Sequence, residues 1–197
     1  LLSRRQRQMC IRDRDHGKGQ AFPLIEDEGA LARLVSDLYR ELSGEYATQS
    51  VTKGLRRCIA YAKNMMLNQE EISQLDTGFE KFPELYSRYN QTLRRQRWMD
   101  YDDQMVYAKT ILERYPHVLA HFQEAFPYIC VDESQDTSRI QHAIINLLAR
   151  KSGNIFLVGD EDQSIYGFRA AYPDALMQFE RTYPGARVLL MEENYRS

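Results

Sequence analysis

Apolar residues recur at helical spacing through the first two-thirds of the chain. Leu31, Leu34, Val35, Leu38 and Leu42 mark a helix over residues 26 to 43. Val51, Leu55, Ile59, Ala62 and Met66 mark another over 51 to 66. Pro83 opens a third, running to about Arg97, with Leu85, Tyr86, Tyr89 and Leu93 on one face. Asp100 to Asp103 supply helix-start carboxylates ahead of Met105, Val106, Ile111 and Leu112. Residues 21 to 125 are therefore expected to be essentially all helix.

The pattern changes near residue 127. YICV (128–131), IFLVG (155–159) and RVLLM (187–191) are short apolar runs. Between the first two lies a helical stripe of Ile140, Ile144, Leu147 and Leu148, with Gly153 a plausible stop. Pro173 could open a helix with Leu176 and Phe179 before the third. Strands alternating with helices predict an α/β layer built on a parallel sheet with right-handed crossovers. Runs without alternation suit strands buried on both faces. In such sheets ligands bind beyond the carboxyl ends of the strands. A polar cluster follows each run, namely DESQDT, DEDQSIYGFR and EENYRS, and all three should open on one edge.

Composition and charge narrow this little. Of 197 residues 43% are hydrophobic and 27% charged, and the net charge is −2. Residues 1–14 alone carry five Arg against one Asp, so the rest is acidic. That arm has no apolar periodicity. The string RRQRQMCIRDR also resembles translated sequencing-adapter sequence. Residues 1–15 are expected to be a non-native or disordered arm. The chain stops at NYRS directly after an apolar run and reads as a piece of a longer protein. No apolar run reaches the ~20 residues a membrane-spanning helix needs. Cys10, Cys58 and Cys130 are odd in number and lack CxxC pairing, which suits free thiols in a reducing cytoplasm.

Asp132 and Glu133 are the sharpest chemical signal. One carboxylate of such a pair can hold a hard cation while its neighbour orients a water molecule, and Mg²⁺ favours one or two carboxylates plus phosphate oxygens. An EF-hand loop from Asp132 would need Gly at 137 and Glu at 143, where the chain has Thr and Ala. A solvated turn is the plain alternative. Gln135, Asp136 and Gln141 are expected mainly to hydrogen-bond the loop and the following helix start. The RRQR run at 94–97 reads as a solvated helix end, and Trp98 and the four histidines as packing or surface residues.

Taken in order, VDESQDT, VGDEDQSIYGFRAA and LMEENYRS resemble motifs II, III and IV of the UvrD/Rep/PcrA group of superfamily 1 DNA helicases. MDYDDQM (99–105) is similar to the group's FDDL segment, and residues 21 to 95 more loosely resemble its helical insert, domain 1B. The resemblance implies residues 16–97 as a 1B-like helical subdomain. It implies 98–197 as the second half of a P-loop NTPase (RecA-like) ATPase domain. By the same resemblance Asp132 would hold Mg²⁺ and Glu133 would activate the attacking water. Gln163 would sense the γ-phosphate of ATP, Tyr195 would pack on adenine, and Arg196 would act as an arginine finger. Tyr166 and Phe168 would stack on single-stranded DNA with Arg169 nearby; core packing is the plain reading of both aromatics. Phe168 stands where many members carry Trp. The phosphate-binding loop G-x-x-x-x-G-K-[ST] is absent. A fragment of a 3′-to-5′ translocase acting at single-strand/duplex junctions is thus expected, inactive by itself. The alternatives are an inert DNA- or protein-binding short homologue and the helicase subunit of a recombination helicase–nuclease.

Overall fold

In the computed structural model, residues 22–160 and 179–189 are described. Six helices come first. Helix α1 (Glu28–Ser43) starts at Asp27, whose carboxylate accepts from Gly29 N at 2.8 Å. It stops at Gly44, which takes the left-handed conformation (φ 80°) and donates its N–H to Arg40 O. Helix α2 (Gln49–Asn64) is capped by Thr48, and α3 (Gln69–Ser73) by a reciprocal Asn68–Glu71 box. Helix α4 (Phe82–Gln96) has Pro83 in its first turn. Helix α5 (Tyr101–Arg114) begins with a second box between Asp100 and Asp103, so those carboxylates do mark a helix start. Helix α6 (Pro116–Ala125) follows at once.

The stripes become cores. Leu31, Val35 and Leu38 of α1 meet Leu55 and Ile59 of α2 and Phe82, Leu85 and Leu93 of α4 in one apolar cluster. Leu85 and Val35 are fully buried, and truncating such a residue to Ala costs about 2–5 kcal/mol. Helix α2 departs from expectation at its end. It stops at Asn64, and Met66 has φ 52°, outside the helix. The chain enters and leaves this helical layer side by side: Met99 N donates to Pro23 O and Ile25 N to Met99 O.

A second, smaller cluster joins Ala108 and Leu112 of α5 to Ile144 of α7 (Arg139–Ala149), with Val118, Leu119 and Phe122 of α6 against it. Helix α7 crosses between two parallel strands, β1 (Ile129–Val131) and β2 (Ile155–Leu157). Their register is Ile129 with Ile155, Cys130 with Phe156 and Val131 with Leu157. A short helix α8 (Phe179–Thr182) completes the described elements.

Two expectations need correction. Residues 187–189 of the run RVLLM form no strand, and Val188 and Leu189 are exposed. Apolar content alone does not make a strand, because each backbone group needs a ladder partner and none pairs here among the described residues. Among the described residues the two strands are also covered on one face only. Ile155 and Leu157 turn toward α7, while Cys130 and Phe156 (58% exposed) stand on the open side. No helix among the described residues is long and apolar enough to cross a membrane, and Cys58 and Cys130 are free thiols.

Candidate functional site

The parallel pairing fixes where β1 and β2 end, and so where their polar loops meet. Val158 N donates to Val131 O at 2.8 Å, and Ser134 N to Val158 O at 2.9 Å, carrying the ladder past both strand ends. Asp132, Glu133 and Asp160 are thereby brought to one edge of the sheet. The first two are exposed.

Glu133 sits in the left-handed region (φ 49°, ψ 47°), uncommon for a residue with a Cβ. The cost of such a conformation is held by the surroundings, and such strain clusters at functional positions. Three contacts hold it. Its own N–H donates to Asp132 Oδ1 at 3.0 Å. Gln135, 2% exposed, donates from Nε2 to Glu133 Oε2 at 2.7 Å. Gln135 Oε1 in turn accepts from Asp160 N at 3.0 Å. One buried amide therefore ties the loop after β1 to the loop after β2 and aims the Glu133 carboxylate.

Below it, a 3₁₀ turn (Ser134–Asp136) leads into α7. Thr137 Oγ1 donates to Ser134 O at 2.6 Å and is hydrogen-bonded to His142 Nε2. Burial pushes the His142 pKa down, against a backbone bond at Ser134 that raises it, so the ring braces the turn as a neutral group. Ser138 and Gln141 form the capping box that starts α7, with Gln141 Oε1 accepting from Ser138 N at 2.7 Å. Gln135 and Gln141 thus make the loop and helix-start bonds expected of them, but Gln135 also touches the candidate catalytic carboxylate.

Among the described residues no ion pair involves Asp132, Glu133 or Asp136, and none form a cluster of three or more metal-ligating side chains. Asp132 offers a single hard oxygen ligand set, as Mg²⁺ shared with phosphate oxygens requires. A cavity of about 230 Å³ lies elsewhere, between α7, β2 and α8, lined in part by Arg139, Asn146 and Tyr183. We place the chemistry at the carboxylates, because the cavity touches neither of them. Gln163, Tyr166, Phe168, Arg169, Tyr195 and Arg196 lie outside the described residues.

Sequence reasoning missed one charged centre. Lys63, 4% exposed, reaches Asp100 Oδ2 and Asp103 Oδ1 at 2.7 Å each, and Tyr89 donates its hydroxyl to Asp100 at 2.9 Å. Burial opposes the charge on Lys63, but the two carboxylates outweigh it and its pKa is raised. The signal was present: Lys63 lies four residues after Ile59, on the apolar face of α2.

The comparisons with known proteins bear on the family. Residues 6–184 match the model for the UvrD/REP helicase N-terminal domain. An ATP-dependent DNA helicase PcrA from Leuconostoc citreum is 42% identical over 186 residues, covering 92% of this chain and 24% of the relative. The protein of the same name from Bacillus subtilis is 39% identical over 141 residues, 71% of this chain and 19% of the relative. That from Staphylococcus aureus is 44% identical over 113 residues, 57% of this chain. The chain spans about a quarter or less of the length of these relatives, and it belongs to the UvrD/REP helicase family, within the N-terminal domain.

Proposed function

We propose that the chain is a segment of an ATP-driven 3′-to-5′ DNA helicase or translocase and carries the water-activating half of its ATPase site. The observation that carries this reading is the strained Glu133, aimed by buried Gln135 beside an exposed Asp132 that pairs with no cationic side chain among the described residues. Asp132 would hold Mg²⁺, which supplies neutralising charge at phosphate oxygens. Glu133 would accept a proton from, or orient, the attacking water. Support for Gln163 as phosphate sensor and for Tyr166, Phe168 and Arg169 as single-stranded DNA contacts comes from their place inside the family match. Tyr195 and Arg196 lie past residue 184, where that match ends, and their roles as adenine platform and arginine finger rest on the NYRS motif.

The same reading divides the chain at about residue 97 into a helical 1B-like subdomain and half of a RecA-like ATPase domain. Two apolar clusters on either side of Met99 support that division. DNA at single-strand/duplex junctions is the proposed substrate of the whole protein. With no phosphate-binding loop, the 197-residue chain alone is expected not to hydrolyse ATP.

The test uses the full-length parent protein. Glu133→Gln removes the base but keeps size and the Gln135 contact. DNA-stimulated phosphate release should fall by roughly 10²–10⁴-fold with nucleotide affinity kept. A variant that hydrolyses ATP at the parent rate would remove Glu133 from the mechanism.

A further inference from the structure

Three arginines, Arg94, Arg95 and Arg97, stand within four positions at the end of α4, and all three are exposed. None forms an ion pair with a carboxylate among the described residues. The reason lies in the acids that follow them. Asp100 and Asp103 turn inward to Lys63, and Asp102 accepts from Asn64 Nδ2 at 2.6 Å. A stretch that looks charge-balanced in sequence is therefore split, with its acids inside and its cations outside.

Aromatic residues follow these cations directly in the chain. Trp98 is 38% exposed and Tyr101 52% exposed. The Arg97 guanidinium lies 5.8 Å from the centre of the Phe22 ring, which meets Tyr107 edge-on at 6.0 Å. The helix dipole accounts for Arg94 and Arg95, which sit in the last turn. It does not account for Arg97, which lies beyond the helix in the left-handed region, nor for Trp98 and Tyr101, three positions apart and both open to water. Cations beside open aromatic faces suit a polyanion with stackable bases.

We propose that Arg94, Arg95, Arg97, Trp98 and Tyr101 form a contact surface for single-stranded DNA, apart from the DEDQSIYGFR loop. The arginines take backbone phosphates, and Trp98 with Tyr101 offers faces to bases. The proposal rests on reading the parent as a DNA helicase and adds a second DNA contact, at the junction of the two halves near residue 97. Asp100, which lies between Trp98 and Tyr101 in the chain, turns inward to the buried Lys63.

Trp98 is the sole tryptophan of the chain, so its emission reports on this surface alone. The experiment titrates the 197-residue chain with an oligothymidylate of about 16 nucleotides, at several salt concentrations. Saturation should quench Trp98. Replacing all three arginines by Ala should leave the melting temperature unchanged and reduce the slope of log affinity against log salt by about 2. A fourfold rise in salt should then weaken the parent about twentyfold more than the variant. The triple Lys version should keep most of the slope. By anisotropy of a dye-labelled strand, Trp98→Phe should bind nearly as the parent does, while Trp98→Ala should bind about fivefold or more weakly. The proposal is overturned by an unchanged salt slope, by binding without quenching, by duplex binding as tightly as single strands, or by no binding at all. None of these results touches the Glu133→Gln test, so the function can stand while this surface falls.

Discussion

The chain holds two acidic clusters of similar sequence and opposite fate. Asp100, Asp102 and Asp103 open α5, and Asp132, Glu133 and Asp136 follow β1. In the first, Lys63 is pressed between two buried carboxylates and Tyr89 closes the third side. In the second, the acids are exposed and, among the described residues, receive neutral N–H donors from the Glu133 backbone and from Gln135. Carboxylates packed together need counter-charge. The first cluster finds it inside the chain and serves as a structural joint between α2, α4 and α5. The second finds none among the described residues, which is the arrangement expected where a cation arrives with a ligand. Composition cannot separate these roles; the location of the nearest cation does.

The largest way to break this contrast is Lys63→Met. Removing one partner of a buried pair leaves uncompensated charge and typically costs about 3–5 kcal/mol. Urea unfolding at neutral pH should show a loss of that size. Adding Asp100→Asn and Asp103→Asn should restore most of it, since Asn caps a helix as well as Asp does. A loss under about 1 kcal/mol for Lys63→Met would mean that the cluster is wet and the comparison empty.

How far the sequence foretold these sites depends on range. The cap role of Asp100 was legible because its partner, Asp103, is three residues away. The link from Asp100 to Lys63 was not, because it depends on how α2 packs against α5. Helices announced themselves through stripes such as Leu31, Val35 and Leu38, where local spacing and burial agree. Residues 187–189 misled for the opposite reason: β-structure is decided by a neighbouring strand. Likewise the DESQDT motif pointed to Asp132 and Glu133. That Gln135 would bridge Glu133 to Asp160 follows only from the register of β1 with β2.

A middle-sized effect sharpens the buried side of the comparison. Asp102 lies beside the Lys63 pair without sharing it. Burial first, and then the charge of Asp100, raises its pKa to about 6, against the opposing Asn64 bond and Lys63 charge. The folded state therefore binds this proton more tightly than the unfolded chain does. Its stabilising contribution is complete below the unfolded value near 3.8 and is lost as pH rises through about 6. Ionised Asp102 consequently costs the fold at most about 3 kcal/mol at pH 7 and above. Asp102→Asn should be more stable than the parent at neutral pH by up to that amount. The two should converge as pH falls toward 4. Denaturant melts across this range check it, and a stability difference that does not change with pH would remove the titration from the account.

The smallest effect tests the exposed side. Glu133 is held at φ 49° by its surroundings, a conformation that glycine adopts without steric penalty. Relief for an L-residue leaving this region is about 1–2 kcal/mol, offset in part by the greater freedom glycine gains when unfolded. Glu133→Gly also loses the 2.7 Å bond from Gln135, which is 2% exposed, and a buried donor left without its partner costs about 1–3 kcal/mol. Relief and loss oppose each other, and the net change in unfolding free energy should stay within about 1 kcal/mol of zero. If a carboxylate serves chemistry, its removal should leave the fold intact or improve it while abolishing ATP hydrolysis in the full-length parent. Unfolding measurements on the chain and phosphate release by the full-length variant decide this together. A clear loss of stability on Glu133→Gly would show that Glu133 acts as a structural clamp through Gln135. The exposed cluster would then be as structural as the buried one.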